Sequence, residues 1–188
     1  LAQLFHTIDY ATKRNKYTHY DLNLKNILFR PYNSKEYIKY AEDCFVEIQG
    51  GIPTIIDNAF VYIEDNGVSS GKIFANSKDP NEKVELARTS ASFSIFRDVS
   101  FPLGDVFKIL INLLEESEGM EYYSELEELF KFFSNESYKN FYILAPIESN
   151  LEYQPFKEFL EYFDKFAIKN GVMKKSLKRE DKLLSFNI

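Results

Sequence analysis

The chain has 188 residues, a formal net charge of −6, and 45% hydrophobic against 28% charged residues. That is the composition of one folded domain with its own core, and no apolar run approaches a membrane span. The acidic balance argues against general binding to nucleic acid or to an anionic membrane, because a polyanion must be met by excess Lys and Arg.

In chain order, the spacing of Leu1, Leu4, Phe5, Ile8 and Ala11 predicts an amphipathic helix over 1–16. Tyr17 to Asn26 is polar and reads as a loop. Asn26-Ile27-Leu28-Phe29-Arg30 reads as a short strand stopped by Pro31. Tyr37–Tyr40 and Phe45–Ile48 are strand-like, and Gly50-Gly51 marks a turn. Cys44, the single cysteine, permits neither an intrachain disulfide nor a Cys-based metal site, and reads as a small core residue. Its solitude suits a reducing, intracellular setting.

Thr54-Ile55-Ile56 reads as a buried strand that starts after Pro53 and runs into Asp57. Residues 64–94 are rich in Gly, Ser, Asn, Asp and Lys and read mostly as a long loop. From about 103 the pattern turns helical. One stripe is Val106, Ile109, Leu110, Leu113 and Leu114. A second is Tyr122, Leu126, Leu129, Phe130 and Phe133. A third is Phe156, Phe159, Leu160, Phe163 and Ala167, with Pro155 placed to start its helix. The basic run from Lys174 to Arg179 reads as a solvated tail. The expected fold class is mainly α with a few short β-strands.

Three short blocks carry chemistry. The first is His19-Tyr20-Asp21-Leu22-Asn23-Leu24-Lys25-Asn26, set between a helix and an apolar strand. An Asp there can accept or orient the proton of an attacking hydroxyl. An Asn five residues on can reach a metal ion held on nucleotide phosphates. The second is Pro53-Thr54-Ile55-Ile56-Asp57-Asn58-Ala59-Phe60, an apolar strand ending in a carboxylate. The third is Leu103-Gly104-Asp105-Val106, where an acid opens a helix.

Together these blocks resemble the C-terminal lobe of a protein kinase, and in style the divergent kinases of large DNA viruses. The resemblance implies one kinase-like domain over 1–188. Its parts would be a catalytic loop at 19–26, a metal-binding segment at 53–60, an activation-type loop at 58–100 and a helical remainder at 103–188. It implies ATP and Mg²⁺ as cofactors and a protein Ser or Thr hydroxyl as acceptor. Asp21 would be the base or orienter, and Lys25 would neutralise charge on the transferring phosphoryl group. Asn26 and Asp57 would hold Mg²⁺. His19 would support the loop, and Asp105 would accept hydrogen bonds from the loop backbone. No nucleic acid or membrane partner is expected, and the compartment would be intracellular, the host cytoplasm or the virion for a viral protein.

The chain departs from the family pattern in places. Tyr20 stands where the family has Arg, which removes control through a phosphorylated loop at that contact. Asn23 stands where Ser/Thr kinases carry a Lys. Asn58-Ala59 replaces Phe-Gly after the metal-binding Asp. The two Asp residues at 21 and 57 are unusually far apart, which an extended hairpin within 33–50 would explain. Thr89, Ser90, Ser92 and Ser94 read as plain loop polarity before phosphorylation sites, and His6 receives no role.

The family's Gly-rich loop and strand Lys lie upstream of the catalytic loop. Leu1 falls just before that loop, so the chain alone is expected to lack the N-terminal lobe and to be inactive by itself. Two alternatives stand beside the kinase reading: a pseudokinase acting as a binding scaffold, and a small-molecule kinase of the aminoglycoside-phosphotransferase type.

Overall fold

The computed structural model of the chain describes residues 1–59, 61–69, 100–135, 137–138 and 153–184. Among these the architecture is mixed α/β, with four α-helices and several short strands in small sheets. The expected fold class thus holds at the level of helices with short strands.

Helix α1 (Ala2–Asn15) forms where the apolar stripe predicts it, and buries Leu4, Phe5 and Ile8. It ends at Lys16, which takes left-handed backbone (φ 50°) and returns its N–H to Thr12 O, a common way to satisfy a last-turn carbonyl. Helix α2 (Pro102–Glu116) starts with Pro at its first position and carries Asp105 in its first turn. Its residues Pro102–Phe107, Ile109, Leu110 and Leu114 are all buried, so this helix is apolar nearly all round and occupies the centre. Helix α3 (Tyr123–Phe130) and helix α4 (Tyr153–Lys169) pack against it, as does α1.

The many Phe residues meet in this core. Phe5 lies edge-on to Phe159 and Phe163, with ring centroids 5.3 and 5.0 Å apart. Phe132 and Phe133 also pack on Phe159. Edge-to-face aromatic pairs contribute about 1 kcal/mol each beyond the area they bury.

Strand β1 (Ile27–Pro31) pairs antiparallel with β4 (Gly51–Ile55), Ile27 opposite Ile55 and Phe29 opposite Pro53. The strand was expected to begin after Pro53. It starts three residues earlier, at Gly51, because a two-stranded ribbon has an unpaired edge, where a residue without N–H is tolerated. Gly51 is required there: a Cβ would fall 2.3 Å from Phe29 Cε1 and 2.7 Å from Arg30 O.

Between these strands, β2 (Glu36–Ala41) and β3 (Cys44–Glu47) form the hairpin anticipated within 33–50. Two distant segments extend it to the order β7-β3-β2-β8, with β7 (Met173–Lys174) antiparallel to β3 and β8 (Lys182–Leu183) parallel to β2. The basic stretch expected as a solvated tail is therefore partly anchored. Lys174 pairs with Asp181 at 3.1 Å and sits 4.4 Å from the Tyr37 ring centroid, while Lys175, Lys178 and Arg179 are exposed.

Two further expectations shift at their edges. The helix under the second stripe stops at Phe130, and Phe133 packs from the turn that follows. Helix α4 begins at Tyr153, before Pro155. Of the segment 58–100, expected as an activation-type loop, the described part holds a small hairpin, β5 (Glu64–Asp65) with β6 (Val68–Ser69). Its turn residues Asn66 and Gly67 both have positive φ (49° and 79°), as a two-residue hairpin turn demands. Thr89, Ser90, Ser92 and Ser94 lie outside the described residues. No helix among the described residues is long and apolar enough to cross a membrane.

Candidate functional site

The site grows from the segment that joins α1 to β1. Thr18 anchors its start. Its N–H donates to Tyr62 O at 3.0 Å and its carbonyl accepts from Tyr62 N–H at 2.8 Å. Its hydroxyl accepts the N–H of Phe101 at 2.6 Å, which ties the loop to the entrance of α2.

Asp105 holds the next turn. One carboxylate oxygen accepts the His19 N–H at 2.6 Å and the other the Tyr20 N–H at 2.9 Å. Burial pushes this carboxyl up to about 7, against the two N–H donors and the nearby Lys108, which favour the charged form. Tyr20 takes left-handed backbone (φ 63°) with its side chain buried, so a bulky residue is held in a conformation that L residues avoid.

The His19 ring lies within the fold as a strut. Its Nδ1 accepts the Asp21 N–H at 3.3 Å, which leaves Nε2 to donate to Ile56 O at 3.0 Å. Burial lowers its pKa, so it stays neutral in that tautomer. The N–H of Ile56 in turn donates to Asn26 O at 2.9 Å. Both peptide groups of Ile56 are thereby tied to the loop, and Asp57 follows directly.

Within the loop, Asn26 Nδ2 donates to Asp21 O at 2.8 Å and to Asp21 Oδ2 at 3.2 Å. Asn23 caps the short 3₁₀ turn Leu24–Asn26 by accepting the Lys25 N–H, and donates to Asp21 O at 3.1 Å. Lys25 itself is exposed, and among the described residues its side chain makes no polar contact. Lys108, from α2, places its ammonium 2.6 Å from Asp21 Oδ1.

The structure therefore brings His19, Asp21, Asn26 and Asp105 into one hydrogen-bonded unit, and fixes the backbone just before Asp57 to it. Lys25 stays apart from Asp21. Lys108 was not anticipated from sequence. Its signal was present, however: it is the charged residue one turn after Asp105 in the otherwise apolar stretch 102–111, hence on the same face.

The donor set suits a hard cation. With Asn26 Nδ2 committed to Asp21, the amide oxygen points elsewhere, and no donor among the described residues reaches it. The Asp57 carboxylate is exposed and makes no hydrogen bond among the described residues. Its backbone is left-handed (φ 59°). No group of three or more His, Cys, Asp or Glu among the described residues could hold a metal alone. Asn26 and Asp57 offer an amide and a carboxylate, donor types that Mg²⁺ accepts alongside water and phosphate oxygens.

No model of a known protein family matches the chain, and a search of curated proteins finds no relative.

Proposed function

We propose that the chain carries the catalytic loop of an ATP- and Mg²⁺-dependent phosphotransferase acting on protein Ser or Thr hydroxyls, working inside the cell. The observation that carries this reading is the paired acceptance of the His19 and Tyr20 N–H groups by Asp105. It fixes the backbone that presents Asp21, while Asn26 steadies the Asp21 carboxylate from five residues on.

In this reading the acceptor hydroxyl approaches Asp21, which takes up its proton as the oxygen attacks the γ-phosphorus of ATP and the bond to the β-phosphate breaks. Asn26 and Asp57 would hold Mg²⁺, which neutralises charge on the phosphates when bound. The exposed Lys25 ammonium supplies a mobile cation to the same phosphates. His19 and Asp105 touch no reacting atom; they hold the loop.

The test uses the complete gene product with Mg-ATP and a generic protein acceptor. Labelled phosphate should appear on Ser or Thr, and Asp21→Asn should reduce it at least a hundredfold. Equal labelling by the variant would remove Asp21 from the reaction. Labelling of a sugar or an antibiotic with no protein labelled would select a small-molecule kinase. No labelling, with no thermal response to Mg-ATP, would select the binding scaffold.

A further inference from the structure

Lys108 stands against the carboxylate that the reaction uses, where the loop itself supplies only a long, uncharged contact from Asn23 Nδ2 at 3.4 Å. Its ammonium lies 2.6 Å from Asp21 Oδ1, a short charge-assisted hydrogen bond. The two side chains are 11% and 21% exposed, so water competes weakly for either. A surface ion pair of this kind would contribute little; a shielded one fixes geometry. Among the described residues, the other Asp21 oxygen accepts only the longer Asn26 contact at 3.2 Å. The loop's own position for a cation is Asn23, whose neutral amide caps Lys25 and donates to Asp21 O at 3.1 Å and, weakly, to Asp21 Oδ1 at 3.4 Å.

We infer that Lys108 is a positioning residue for phosphoryl transfer: from helix α2 it pins Asp21 Oδ1 and so leaves Oδ2 aimed at the incoming acceptor hydroxyl. This rests on the phosphotransferase reading. The step itself is unchanged. The hydroxyl oxygen bonds to the γ-phosphorus, the bond to the β-phosphate oxygen breaks to release ADP, and the hydroxyl proton passes to Asp21. Lys108 contributes the orientation of the carboxylate. α2 is a suitable support because its Asp105, one turn earlier, already holds the backbone of the same loop. One rigid helix then sets both the main chain and the side chain of the base.

The experiment compares steady-state kinetics of the complete gene product with its Lys108→Met, Lys108→Gln and Lys108→Ala variants, all checked for a native melting transition. Loss of Lys108 should lower kcat about tenfold to a hundredfold and leave KM for ATP within about twofold, as expected when orientation in the transition state is lost and ground-state binding is kept. In Lys108→Ala, added n-propylamine should restore kcat saturably, because a free ammonium can occupy the vacated slot. A merely structural lysine would give a fall in folded fraction that propylamine does not reverse.

Should Lys108→Met fail to fold, Lys108→Ala read with and without propylamine decides, while Lys108→Gln, whose amide can still bond Asp21, should keep more of kcat than either. Unchanged kcat in folded Lys108→Met, or in folded Lys108→Ala without amine, with Asp21→Asn inactive, overturns the inference and spares the phosphotransferase reading. Absence of transfer by the unmutated protein overturns both. An exposed lysine on α4, Lys157, serves as the control whose replacement by Met leaves kcat unchanged.

Discussion

Asp105 and His19 are 86 residues apart in sequence, yet the carboxylate of one accepts the N–H of the other at 2.6 Å. This bond, with its twin to Tyr20, is where the helical core meets the loop that presents Asp21. The consequence for stability is direct. Asp105→Ala would leave two buried N–H groups without acceptors, each costing roughly 1–3 kcal/mol. We expect Asp105→Ala to lose about 2–5 kcal/mol of unfolding free energy in urea, and a loss below about 1 kcal/mol would show that the loop finds other acceptors. Asp105→Asn should fall between, because its amide offers one acceptor and sets a donor against the second N–H.

The same carboxyl gives a signed pH dependence. Burial raises it from its ordinary value of 3.8 to about 7 in the folded protein. Between those values the folded state holds a proton that the unfolded state releases. Its contribution is complete below pH 3.8 and is lost as pH rises through about 7. His19 acts oppositely. Its pKa is lowered from 6.5, so the folded state resists protonation and stability falls as pH drops below 6.5. Urea unfolding at pH 5 and pH 8 should show the unmutated protein losing more stability toward pH 8 than Asp105→Asn does. Parallel behaviour of the two would contradict the raised carboxyl.

Asp57 follows the clamped Ile56 with its carboxylate exposed and without a hydrogen bond among the described residues. Mg-ATP should raise the melting temperature of the complete gene product, and Asp57→Asn, which like Asp tolerates the left-handed backbone at this position, should abolish most of that rise while leaving the ligand-free melting temperature within about a degree or two. The small second effect follows because an exposed side chain without partners contributes little to stability. Differential scanning fluorimetry with and without Mg²⁺ reads both. A full Mg-ATP response in the variant would take Asp57 out of the metal site.

Cys44 should be inert. Its thiol is buried, and burial pushes its pKa up to about 12, so almost no thiolate exists at neutral pH. His6 Nε2 lies 3.5 Å from the sulfur and 3.1 Å from Asp164 Oδ1. Both approach the same ring nitrogen, so the three residues do not form the relay of a cysteine nucleophile, which needs the second nitrogen for the acid. Native protein should react with iodoacetamide at least a hundredfold more slowly than protein in urea. Comparable rates would place the thiol at the surface.

The extent to which the site could be read from the chain varies by residue. Asp21, Asn26 and Asp57 were visible as a spaced motif flanked by a helix and strands, since a loop between such elements is written in local periodicity. Asp105 was visible only as a good helix-start acid; its bonds to the loop came from the family resemblance, because nothing local distinguishes a capping carboxylate from a buried anchor. Lys25 drew attention for its place in the motif, but its side chain faces solvent while Lys108 reaches Asp21. The place of Lys108 one turn after Asp105 marks its face of the helix, but nothing in the chain says that this face meets Asp21.

By itself the sequence determined the periodic elements: the apolar stripe of α1, the helical stripe of α2 from about 103, and the strand-like runs of β2 and β3. These follow from side-chain spacing of about 3.6 or 2 residues, which neighbours in the chain satisfy without help. Only the tertiary structure decided that β7 and β8 flank that hairpin, that Ile56 is clamped between His19 and Asn26, and that Lys108 holds Asp21. Those contacts join groups far apart in the chain, and they exist because one buried core fixes where each element ends.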